Sequence, residues 1–317
     1  MKNRVPVLLW LYHVDLWPEI LSLLIPIQDL IELHIGLYKN NEQNFIVEDS
    51  IPTIFDVYNI TYHDNMGGDV LPFLEQLNSL DSSRFEHDLF LKIHTKKSLF
   101  AGKINWRIIL LHNLIGNRSI FLKNLDKLKD NKCGALTCSN LIMSDMEHTN
   151  SSIIEHISEN ILSIPYGKVK NKKFCGGNMF FGKISTFRSY FNNDTLSLIR
   201  PKLKKEKGKI SDVKKGTYAH SLERLFGYIV LDNNQKIIPS ALEATKILNP
   251  LAQNNKLHII LLYDEISCYI HEDINVCGKI LSRSDKAIEI EWFHLTKPVI
   301  KKYKYISNNT LVSDATI

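Results

Sequence analysis

Within the first 95 residues, runs rich in Val, Ile and Leu alternate with stretches of helical spacing, and that alternation restricts the fold more than any other feature. Val5 to His13, Asp29 to Tyr38, Val57 to His63 and Asp88 to Ile93 read as strands. Between them, Leu16 to Ile25 reads as a helix behind an Asp15 cap with Pro18 in its first turn, and Glu42 to Phe55 as a second helix that Pro52 must end or bend. A third runs through Leu71, Phe73, Leu74 and Leu77, after a tight turn at Gly67 and Gly68. Nearly continuous apolar strands are buried on both faces, so the expectation is α/β, a Rossmann-type, mostly parallel sheet flanked by helices. Such sheets bind ligands beyond the carboxyl ends of their strands. That edge would gather His13, the turn Gly67-Gly68-Asp69, and His94-Thr95-Lys96-Lys97.

Downstream, Trp106 to Ile115, Ile120 to Leu128 and Ser151 to Leu162 read as helices, and Cys133 to Cys138 as a short strand. "KFCGGNMFFGKIS" (Lys173 to Ser185) reads as a strand broken at Gly176-Gly177, a sign of a bulge or of close approach to a ligand. "TYAHSLERLFGYIV" reads as a helix ending near Gly227. The chain from Leu257 on is strand-rich, and the division expected is a main unit over 1–245 and a C-terminal extension over 246–317.

The formal net charge of +5 is concentrated in one place. Between Arg200 and Lys215, eight basic residues face only Glu206 and Asp212, a net +6, so the rest of the chain sums to about −1. That pattern argues against a nucleic-acid-binding face. With Leu203, Ile210 and Val213 as its few large apolar residues, the segment reads as a mobile loop, either solvated or attracted to an anionic membrane surface. The five cysteines form no CxxC pair, as expected of reduced thiols in a cytoplasmic protein. The greasy start is interrupted by His13, Asp15, Pro18 and Glu19 and carries no small-residue cleavage site, so neither a signal peptide nor an anchor is expected.

No Walker, dinucleotide, nucleophile-elbow or HExxH motif is present. No D-x-D follows the central strands, so no bound metal and no other cofactor is expected. His94 and Lys96 stand where a metal-dependent nucleotide-sugar enzyme would place its carboxylates, and a lysine or imidazolium can neutralise a diphosphate leaving group instead. Asp69 reads either as a helix cap, which spacing favours, or as an acceptor for ribose or sugar hydroxyls. His220 and Glu223 lie one helical turn apart; Glu223 reads as a general base or as half of an ion pair with Arg224.

Six segments in order, "LYHVDLWPEI", "NMGGDVLPFLEQL", "LKIHTKKS", "WRIILLHNLIG", "FCGGNMFFGK" and "AHSLERLFG", resemble the rhamnan synthesis protein F family of bacterial polysaccharide glycosyltransferases, over roughly residues 5 to 230. The resemblance implies a GT-A-like fold, a nucleoside-diphosphate-sugar donor, inverting transfer of rhamnose or galactofuranose, and a lipid-linked or lipopolysaccharide glycan acceptor. With the reduced cysteines and the basic segment from Arg200 to Lys215, the expectation is a cytoplasmic enzyme, peripheral at the inner face of the membrane. The site expected for such an enzyme has Glu223, Asp69 and His220 as catalytic residues. His13, Gly67, Gly68, Asp69, His94, Thr95, Lys96 and Arg107 would bind the donor, and Gly176, Gly177, Asn178 and Arg224 the acceptor. The family usually carries Gly-Arg-Asp where this chain has Gly67, Gly68 and Asp69, which removes a guanidinium and feeds the rival reading, a non-catalytic carbohydrate-binding or scaffold protein on the same fold.

Overall fold

The computed structural model of the chain describes residues 4–97, 99–100, 104–144, 148–169, 172–208, 211, 215–241, 246–248, 258–261, 266–270, 275–284, 287–292, 299–307 and 310–313. Its central sheet has seven strands: β1 (Val5–Leu11), β2 (Ile31–Tyr38), β3 (Tyr58–His63), β4 (Phe90–His94), β5 (Cys133–Thr137), β6 (Phe180–Gly182) and β7 (Lys236–Pro239), in the order β7-β5-β6-β4-β1-β2-β3. Every pairing is parallel except those of β6, which runs antiparallel to both β4 and β5. The amino end of β6 therefore abuts the carboxyl end of β4, with Phe180 opposite Lys92.

The helices of eight residues or more are α1 (Trp17–Leu24), α2 (Val70–Ser79), α3 (Trp106–Ile115), α4 (Arg118–Leu128), α5 (Ser151–Asn160), α6 (Asn193–Leu203) and α7 (Tyr218–Asp232). They cover both faces of the sheet, as the apolar strands require. On one face, Leu9, Leu11, Leu91 and Ile93 pack with Ile20 of α1, Leu110 and Leu114 of α3 and Phe121 of α4. On the other, Leu8, Phe90 and Phe180 pack with Phe73 and Leu77 of α2 and Leu222 and Phe226 of α7. Because side chains alternate along a strand, Lys92 and His94 share the second face with Phe90. Phe73, Phe90, Phe180, Phe187 and Phe226 form an aromatic nest there.

Three local expectations need correction. Asp15 does not cap α1: it lies inside a 3-10 turn, Val14–Leu16, and its carboxylate pairs with Lys97. α7 does not stop near Gly227. A Cβ there would lie 2.4 Å from Phe174 Cα and 2.5 Å from Lys173 O, so the glycine lets the helix ride directly on the strand Lys173–Cys175. The basic segment is not simply a loop: Arg200 to Leu203 complete α6, and Leu203 is fully buried. Further on, Gly67 N–H donates to Glu206 O (2.8 Å) and Gly208 N–H to Asn65 O (3.2 Å). Lys209, Ile210 and Asp212 to Lys214 lie outside the described residues.

The strand-rich C-terminal stretch forms a second sheet of seven strands, β8 (Lys246–Leu248), β9 (His258–Leu261), β10 (Ile266–Ile270), β11 (Asn275–Arg283), β12 (Ala287–Trp292), β13 (Val299–Ser307) and β14 (Thr310–Ser313). It is an antiparallel meander in which each strand pairs with the next in sequence.

Candidate active site

At the carboxyl edge, Thr95 stitches two strand exits together. Its hydroxyl oxygen accepts from the backbone N–H groups of Tyr12 and His13, both at 3.0 Å, and its own N–H donates to Trp10 O at 3.0 Å. The expected donor-binding hydroxyl is thus engaged in joining β1 to β4. His13 sits half-buried beside Tyr12, with ring centroids 4.8 Å apart; burial and then Lys97 lower its pKa.

Gly67 and Gly68 take left-handed φ values of +62° and +57°, which glycine adopts without steric penalty. A side chain on Gly67 would also press on Leu203, whose Cβ would be 2.9 Å away. The turn delivers Asp69 to the cap position of α2, yet no capping hydrogen bond forms. Its Oδ2 instead receives the Lys92 ammonium and the Asn178 side-chain N–H, the latter at 2.6 Å. Spacing favoured the cap, and the buried cation won.

Lys92, which sequence reasoning passed over, is the centre of this arrangement. It is 1 % exposed, donates to Asp69 Oδ2 and to Asn178 O (2.7 Å), and lies 5.2 Å from the Phe73 ring centroid. The signal was a single lysine inside the apolar run "FLKIH": a cation on a strand buried on both faces must find a carboxylate. Burial lowers the Lys92 pKa, with Asp69 and Glu223 opposing. Burial alone would raise the Asp69 carboxyl, but His94, Lys92 and Lys96 hold it far below the ordinary carboxylate range.

His94 lies between Gly177 O (Nε2, 3.1 Å) and Thr95 O (Nδ1, 3.2 Å), with Asp69 Oδ2 at 3.7 Å. Burial pushes its pKa down to about 4 despite Asp69, and Lys92 and Lys96 reinforce the shift. The ring is neutral at pH 7, so it adds no positive charge at this edge beside the half-buried Lys96.

The turn before β6 supplies the other wall. Asn178 N–H donates to Cys175 O (3.2 Å), Gly177 has φ +79° and Asn178 φ +59°. Gly176 leaves room for Met143, whose Sδ would lie 2.3 Å from a Cβ there. Gly177 N–H donates to Glu223 Oε1 of α7 at 2.9 Å, so the proposed base is tied to the same turn. Thr217 caps α7, and the Glu206 carboxylate accepts from Tyr218 N–H (2.5 Å) and Ala219 N–H (3.0 Å), which couples the start of α7 to the Gly67 turn.

The structure thus brings together Asp69, His94, Gly177, Asn178 and Glu223, and adds Lys92. Three other expected residues have further partners. The Arg107 guanidinium is fully buried, forked onto Glu19 (2.8 and 2.9 Å) with a third bond to Lys96 O (2.7 Å). His220 Nδ1 lies 2.7 Å from Thr217 Oγ1, and Arg224 donates to His220 O (2.8 Å) while lying over the Phe174 ring. Among the described residues, no group of three or more His, Cys, Asp or Glu side chains is placed to hold a metal ion.

The family model for rhamnan synthesis protein F matches residues 1–235. The chain belongs to that family. Membership in the rhamnan synthesis protein F family ties the chain to polysaccharide synthesis, and the match takes in β1 to β6, α1 to α7 and every site residue described above. No curated protein and no solved structure matches the chain. Among the described residues, no helix is long and apolar enough to cross a membrane.

Proposed function

We propose that the chain is a GT-A-like glycosyltransferase that moves a sugar, rhamnose or galactofuranose, from a nucleoside diphosphate to a growing surface polysaccharide with inversion. The observation that carries this reading is the convergence of Asp69, Lys92, Asn178 and Glu223 at the carboxyl edge beside Lys96, a place where such sheets bind ligands. Lys96 supplies the charge at the diphosphate, in place of a metal, as negative charge develops on the leaving group. The base is assigned to Glu223 and not to Asp69, whose strongly lowered pKa makes it a poor proton acceptor. In the step, Glu223 takes the acceptor hydroxyl's proton and that oxygen bonds to the anomeric carbon. The bond from that carbon to the diphosphate oxygen breaks on the opposite face, and its electron pair leaves with the nucleoside diphosphate.

Glu223→Gln tests the assignment. Loss of a general base should lower kcat by about 10²–10⁴-fold and leave the donor KM nearly unchanged. Parent-like turnover in the variant would remove Glu223 from the mechanism. If the parent turns over no member of a nucleotide-sugar panel, the carbohydrate-binding or scaffold alternative stands instead.

A further inference from the structure

Lys92, Asp69 and Asn178 close a ring of three hydrogen bonds. The ammonium donates to Asp69 Oδ2 and to Asn178 O, and the Asn178 amide donates to the same Oδ2. The amide orientation is fixed by this ring, because the flipped form would set Asn178 Oδ1 against Asp69 Oδ2 at 2.6 Å, acceptor against acceptor. Asn178 Oδ1 is therefore turned away from Asp69, and it is buried with no hydrogen-bond partner. Asp69 Oδ1 likewise receives no hydrogen bond among the described residues, on a side chain that is 21 % exposed. Asn178 also keeps a left-handed backbone, φ +59°, uncommon for a residue with a side chain.

Two acceptors on adjoining side chains call for a ligand that offers O–H donors. A phosphate offers none, and belongs on the Lys96 side; sugar hydroxyls fit. We propose that Asp69 Oδ1 and Asn178 Oδ1 read hydroxyl groups of the transferred sugar, and that Lys92 is the positioning residue that orients both acceptors. This rests on the glycosyltransferase reading above. It moves Asn178 from the acceptor glycan to the donor sugar.

The charged and titratable groups around Asp69 are Lys92 and His94 on β4 and Lys96 just after it; Glu223, from α7, faces Lys92. Without the Lys92 ammonium the enclosed carboxyl takes up a proton more readily, and a protonated Asp69 no longer accepts in the same way. Sugar recognition should then become pH-dependent.

The test is calorimetric binding of UDP-, dTDP- and GDP-sugars, each beside its free nucleotide, to the full chain between pH 5.5 and 8. The parent should bind one sugar nucleotide more tightly than its nucleotide alone. Lys92→Met should weaken that sugar nucleotide about 10–100-fold at pH 7, more at pH 5.5 than at pH 8, as expected for hydrogen bonds to a charged group. Binding of the free nucleotide should stay within about twofold of the parent. Asn178→Gly, which suits the φ and deletes Oδ1, should weaken the sugar nucleotide about tenfold and spare the nucleotide. Unchanged binding in both variants, or equal losses for nucleotide and sugar nucleotide, would overturn the proposal and leave the glycosyltransferase reading intact. A parent that binds no sugar nucleotide would fail that reading and this one together. If Lys92→Met does not fold, Asn178→Gly decides alone.

Discussion

The Arg107–Glu19 pair gives the sharpest test of how the site is supported. Arg107 is 0 % exposed and Glu19 3 %, and the fork between them has bonds of 2.8 and 2.9 Å. Arg107→Met would leave the Glu19 carboxylate enclosed without a counter-charge, which costs about 3–5 kcal/mol. Glu19→Met should cost a similar amount by stranding the guanidinium. The double variant replaces a buried pair with two apolar side chains of similar length and should lie much nearer the parent, because the desolvation cost of both ions vanishes with them. In urea unfolding followed by circular dichroism, the single variants should shift the midpoint by on the order of 1–2 M. The cycle should show a coupling of several kcal/mol. Arg107 also holds Lys96 O at 2.7 Å, so at temperatures where Arg107→Met remains folded its donor KM should rise. A single-variant cost below about 1 kcal/mol, or a double variant that sums the two singles, would refute this account. Unchanged stability with lost nucleotide affinity would return Arg107 to the donor.

Two further outcomes are expected. His94, with a pKa pushed to about 4, and His112, lowered to about 3 by burial and then Arg107, are both neutral when folded. Because the unfolded chain binds these protons first, stability should be complete above about pH 6.5 and fall by a few kcal/mol as pH drops towards 4. A denaturation free energy that stays flat from pH 7 to 5 would contradict this. Gly227→Ala, in a helix where alanine is intrinsically favoured by about 1 kcal/mol, should instead destabilise by about 1–3 kcal/mol and lower kcat, because the new methyl meets backbone atoms of Lys173 and Phe174. A rise in Tm would show that α7 can move aside.

The parallel strands were legible because Val5 to Leu11 and Ile31 to Tyr38 are apolar on both faces, which only an enclosed strand can satisfy. The edge proposed for the site was read from their direction. The partners within it were not legible, since Asp69 and Asn178 are 109 residues apart and no local spacing joins them. The partner of Arg107 was illegible for the same reason: the Glu19 carboxylate lies 88 residues away. Lys92 was missed although it is the one cation in an apolar run, and Gly227 resembled a helix end because its packing partner, Phe174, is remote in sequence.

The two sheets set different demands on a chain emerging from the ribosome. In the meander, every strand from β9 to β14 finds its partner immediately before it, so each pairing closes a short loop and can form soon after synthesis. In the central sheet, β1 must wait for β4, and β4 for β6. β2 has both strand neighbours once β3 is made and β1 once β4 is made, but β4 keeps an open edge until Phe180 has been made, a long exposure for a segment this apolar. The open edge of newly made β4 is thus the place for which a chaperone, or another copy of the same chain, would compete during synthesis.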